Sequence, residues 1–203
     1  MTFRRIRLVV AAAAILGAAP AWAAGVDREE FKIYLETRDA LKDERVLAMP
    51  EAQRIPKIAT VNFKMKGPQL QAILDKVEAA GGEQGIAEAT RAALEKAFVG
   101  TALEGRVKEI RVDTSAPHVV TYLKWVGTPA SIESEAALIA VKAGQADKVA
   151  STFFLWAVDE KGKDLWRAKI GADRTSRIRE DRIDDWAKTR YVRLFEVDQD
   201  NRG

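Results

Sequence analysis

The apolar pattern of this 203-residue chain changes period at Gly105, and that change sets its fold class. Before Gly105, apolar side chains recur at helical spacing. Leu70, Ile73, Leu74 and Val77 stand at i, i+3, i+4 and i+7, and Ile86, Thr90, Ala93, Leu94, Ala97 and Phe98 repeat the stripe. Gly67-Pro68 suits a helix start and Gly81-Gly82 a stop. Upstream, Asp27 can cap a helix running to about Leu47, with Phe31, Tyr34, Leu35 and Leu41 on one side and Pro50 ending it. Pro56 suits the opening of a further helix that fades into extended chain by Lys66.

After Gly105 the period is two. Strands are expected over 106–113, 118–126, 135–142, 150–159 and 164–170, joined by turn-forming links such as Gly127-Thr128-Pro129 and Glu160-Lys161-Gly162-Lys163. Links this short imply antiparallel hairpins. Both alternating faces are apolar in 153–158 and in 136–141, which places those two strands centrally. The expected fold is α+β: N-terminal helices over about 27–100, an antiparallel β-meander of about five strands over about 105–170, and a closing C-terminal helix over about 173–190. Residues 191–197 fit either period, and the tail from Asp198 is expected to fray.

The first residues carry a different signal. Arg4, Arg5 and Arg7 precede an apolar run from Leu8 to Ala19, then Pro20 and the small-x-small pattern Ala21-Trp22-Ala23. That run is too short for a membrane span, which needs about 20 residues. Residues 1–23 therefore read as a cleaved signal peptide and 24–203 as one exported α+β domain, periplasmic or secreted, with no membrane span of its own. Cleavage also corrects the charge. The chain has 33 Lys and Arg against 30 Asp and Glu; removing three leader arginines leaves 30 of each, a net charge of zero. The pI of about 9.1 is thus no footprint for nucleic acid, which needs clustered cations.

Chemistry is sparse. The chain has no Cys, so disulfides, thiolate metal sites and cysteine nucleophiles are excluded. His118 is the single histidine and stands at an expected strand start, a surface position. Ser115 or Ser151 could join it in a triad, but no Gly-x-Ser-x-Gly elbow is present. Glu109 with Asp113, or Glu133 with Glu135, could form an acid pair of glycosidase type. With so many acids, a solvated surface explains such pairs more simply. No catalytic residue, metal ligand or cofactor is assigned. Tyr122, Trp125, Trp156 and Trp166 are the candidate ligand-binding residues, expected to line a pocket between sheet and helices, with Trp166 the most exposed.

Three functions fit these residues. The first is a non-catalytic exported binding or envelope-accessory protein, whose partner is a protein or a small apolar ligand. The second is a carboxylate-dependent hydrolase. The third is an assembly protein that pairs through a sheet edge, with 106–113 the candidate strand.

Overall fold

The computed structural model describes residues 25–185 and 191–202. The signal peptide expected over 1–23 lies outside them. Five helices come first: α1 (Arg28–Ala40), the single turn α2 (Glu44–Leu47), α3 (Glu51–Asn62), α4 (Gly67–Ala79) and α5 (Gly82–Phe98). Asp27 caps α1 through a capping box with Glu30, which satisfies two amide donors that the first turn leaves free. Pro50 precedes α3, so Pro56 sits inside that helix rather than opening it. Gly81, at φ 91°, makes the left-handed turn between α4 and α5 that a side chain would strain.

The sheet holds β1 (Val107–Asp113), β2 (Val120–Val126), β3 (Thr152–Val158), β4 (Asp164–Gly171) and β5 (Glu196–Asp200), in spatial order β1-β2-β3-β4-β5. The fold is α+β with five strands, yet it is not a meander. β2 and β3 run parallel, and α6 (Ile132–Ala146) makes the crossover between them. The other three pairings are antiparallel. The segment expected as a strand over 135–142 is the middle of α6. Its core positions Ala136, Ala137, Ile139, Ala140 and Ala143 are all fully buried, so it is apolar on nearly every side. A short run of that kind alternates as well as it spirals, and alanine then decides for helix.

The C-terminal end also departs from expectation. Over 173–185 the chain forms two 3-10 segments, Thr175–Arg177 and Glu180–Asp185, in place of the start of an α-helix; 186–190 lie outside the described residues. Tyr191–Leu194 is a further 3-10 turn, and β5 follows it. The tail expected to fray is thus partly strand, and Arg202 is tied to Glu133 at 2.9 Å.

One face of the sheet supplies the main core. Leu123 and Trp125 of β2, Phe153, Leu155 and Ala157 of β3, and Trp166, Ala168 and Ile170 of β4 are buried against α5 and α6. Two smaller clusters hold the N-terminal helices together, and one of them joins α1, α4 and α5 to the sheet through Val119 and Val149.

Candidate functional site

The opposite face of the sheet belongs to none of these clusters. Alternation and register place Tyr122 and Lys124 of β2, Phe154 and Trp156 of β3, and Arg167 and Lys169 of β4 on it, all half-buried. They form two ladders across the strands. In the first, Arg111 stands opposite Tyr122, Tyr122 opposite Phe154, and Phe154 opposite Lys169. The Arg111 guanidinium lies 4.0 Å from the Tyr122 ring centre, and the Tyr122 and Phe154 centroids are 5.3 Å apart. In the second, Glu109, Lys124, Trp156 and Arg167 follow one another. The Lys124 ammonium is 4.0 Å and the Arg167 guanidinium 4.5 Å from the Trp156 ring, a cation on either cross-strand side. Asp164 accepts from the Trp156 indole at 2.7 Å and ion-pairs with Arg167.

These ladders explain how a five-stranded sheet tolerates a face without helices. Rings and the aliphatic stems of Lys and Arg cover one another, while the charged ends stay wet. The surface that results is aromatic and cationic at its centre.

The four aromatic candidates therefore divide. Tyr122 and Trp156 lie on the open face. Trp125 and Trp166 lie in the core, 0% and 1% exposed, with ring centroids 6.4 Å apart and Phe195 packed beside Trp166. The four line no common pocket. Trp166, expected to be the most exposed, is enclosed because β5 pairs outside β4, so β4 is not an edge, and because it shares the core face with Ala168 and Ile170. A bulge opposite Val158 inserts Leu165 and turns it inward beside Trp166. Phe154, Lys124 and Arg167 complete the open face. Their place was hidden because the parallel β2–β3 register depends on the crossover.

Three of the four acids weighed for catalysis are occupied elsewhere, and Glu109 stands exposed on β1. Glu135, 7% exposed, receives the Trp125 indole N–H at 2.9 Å, the Thr128 amide at 3.3 Å, Arg106 at 2.6 Å and the Ser131 hydroxyl at 2.9 Å. Burial works to raise its carboxyl, but donation from Trp125, Arg106 and Ser131 prevails and holds it below its ordinary value. Glu133 ion-pairs with Arg202. Asp113 accepts the Ser115 amide at 3.0 Å, and Ser115 holds its carboxyl low. His118 is exposed.

Asp147, which sequence inspection passed over, is fully buried. Its carboxylate accepts the amides of Val149 and Ala150 at 2.9 and 2.8 Å and the Thr121 hydroxyl at 2.7 Å. It staples the end of α6 to β2. Burial pushes its carboxyl up, and these donors, with the charge of Arg28, offset only part of that rise. The sequence Asp-Lys-Val-Ala after a helix is the trace it leaves, an acid placed to bond amides two and three residues on.

Two of the hollows among the described residues have apolar side chains in their lining. One of about 180 Å³ lies beside β1 and is lined by Phe98, Val99, Leu103 and Ile110 among others. The other, about 340 Å³, lies between α1 and α4, where the Tyr34 hydroxyl donates to Glu78 at 2.5 Å. Among the described residues, no group of His, Cys, Asp and Glu is arranged to hold a metal ion, and no helix is long and apolar enough to cross a membrane. No family model matches the chain, and neither a curated protein nor a solved structure matches it.

Proposed function

We propose that this protein acts by binding, with no chemistry of its own, in the periplasm or outside the cell, and that the open sheet face meets a partner protein. The observation that carries this reading is the pair of ladders built from Arg111, Tyr122, Phe154, Trp156 and Arg167. Tyr, Trp, Phe and Arg are the residue types that concentrate at the centre of protein interfaces and supply most of their binding energy. They offer large, stiff, amphipathic area that loses little entropy when covered. The carboxylates support the same reading. A hydrolytic general acid needs a raised pKa and an open cleft. Glu135 is held low by donation from Trp125, Arg106 and Ser131, and Asp147 is sealed from solvent.

The test is capture from the organism's own envelope extract by immobilised protein of residues 24–203, with mass spectrometry of what is retained. The expected result is a protein retained by the wild type and lost by the Trp156→Ala, Tyr122→Ala double variant. Retention of nothing, or equal retention by both, refutes the reading.

A further inference from the structure

The two edges of the sheet are defended differently. β5 presents Glu196, Asp198 and Asp200, acids already ion-paired to Arg174, Lys169 and Arg202 of the same copy, so among the described residues this edge has no unpaired base to offer a second copy's acids. β1 pairs on one side only, with β2, and its other edge carries both signs, in the order Glu109-Ile110-Arg111. Glu109 has no ion-pair partner among the described residues, and Arg111 reaches Asp113 only at 3.5 Å. Beneath this edge lies the 180 Å³ hollow, and on its rim Val99 is 65% exposed, the most exposed of the large apolar side chains among the described residues.

We infer that β1 is the interface of a twofold dimer, in which the β1 edges of two copies pair antiparallel with Ile110 facing Ile110. The sequence of the edge is its own complement in that register. Against β2, Val107, Ile110 and Val112 stand opposite the inward Trp125, Leu123 and Thr121, whereas Glu109 and Arg111 stand opposite the outward Lys124 and Tyr122. A bulge between Val107 and Glu109 takes Lys108 out of the alternation. With Ile110 on Ile110, Glu109 therefore meets Arg111 of the second copy, and by symmetry this happens twice. Val107 meets Val112, also twice, on the core side. Three apolar pairs then lie over the hollow, and two ion pairs extend the aromatic ladders across the join.

Neighbouring registers fail. A slip of two residues places Glu109 on Glu109 or Arg111 on Arg111, like charges directly opposite, which destabilise a strand pair. A slip of one turns a wet face onto a core face. Charge and burial together select one register, and the result is one continuous sheet of twice five strands.

Sedimentation velocity from about 1 µM to about 200 µM, the range that suits a small interface, tests this directly. The wild type is expected to move reversibly from monomer to dimer. Glu109→Arg and Arg111→Glu each set like charges opposite one another and are expected to weaken the dimer at least tenfold. The two single variants mixed together carry matching charges and are expected to form a heterodimer. The double variant E109R/R111E is complementary again and is expected to regain the homodimer. Both side chains are exposed, so each variant is expected to keep the wild-type circular dichroism. A wild type that stays monomeric overturns the inference. So does a dimer indifferent to every swap, or a mixture of the singles that fails to associate. Trp156 lies two strands in from this edge. W156A is expected to leave the dimer intact, which separates this outcome from that of the sheet-face reading.

Discussion

Asp147 gives the sharpest energetic prediction, because two substitutions there have opposite expected outcomes. Asp147→Ala removes the acceptor of two buried amides, those of Val149 and Ala150, and of the Thr121 hydroxyl. The site is closed to bulk solvent, since Asp147 and Ala150 are fully buried. An orphaned buried donor costs about 1–3 kcal/mol, so two amides set the loss at about 2–6 kcal/mol. The hydroxyl can turn elsewhere and is left out of the sum. Asp147→Asn keeps one oxygen for both amides and offers an N–H to the Thr121 oxygen, which can accept it. It is therefore expected to hold the fold.

The effect of pH separates these variants from wild type. The Asp147 carboxyl is raised in the folded state from 3.8, so the fold favours its neutral form. A raised group contributes stability that is fully present below its unfolded value and is lost as pH climbs through its folded value. The wild type should thus lose ground to D147N on going from pH 3.5 to pH 7, at up to about 1.4 kcal/mol per pH unit between those two values. Urea unfolding followed by circular dichroism at both pH values measures the difference. A loss under about 1 kcal/mol in D147A would refute the stapling role. A D147N variant that falls behind wild type as pH rises would refute the direction of the shift.

Other consequences follow from the same contacts. Glu135 is held below 4.5, so its contribution has the opposite sign: present above its unfolded value and lost as pH falls through its folded one. Glu135→Ala is expected to cost about 3 kcal/mol at pH 7, since it strands the Arg106 charge and the Trp125 indole, and the acid limb of the stability curve should flatten with it. Gly144 in α6 faces Thr175, whose Cβ would stand 2.8 Å from an added methyl group. Gly144→Ala is therefore expected to destabilise by about 1–3 kcal/mol, and G144A/T175G to recover part of it in thermal unfolding. Burial and the bond to Glu78 raise the Tyr34 hydroxyl to about 12. Ultraviolet titration should show a late-ionising component that Tyr34→Phe removes.

Much of the fold was legible in the chain because period and punctuation agreed. Asp27, Gly67-Pro68 and Gly81-Gly82 mark α1, α4 and α5, and four strands lie within two residues of where alternation put them. The error at 135–142 had a physical origin. A segment buried on most sides loses the polar face by which periodicity is read, and only the run of alanines favoured helix. That one element decided the topology, since a helix there turns a hairpin into a parallel crossover. The candidate site followed from topology. Tyr122 and Trp156 share a face because β2 and β3 run parallel in one register, and no short-range pattern contains that information. Trp166 was misjudged because its strand was taken for an edge, and the strand that covers it, β5, begins in a run that fits either period.

The central claim is that the open sheet face is the working surface. Hydroxyl-radical footprinting of the protein, free and then bound to the partner captured from envelope extract, tests it most directly. Tyr122, Phe154 and Trp156 should be oxidised in the free protein and shielded in the complex, with buried Trp125 and Trp166 unreactive throughout. Equal oxidation of those three rings in both states would contradict it.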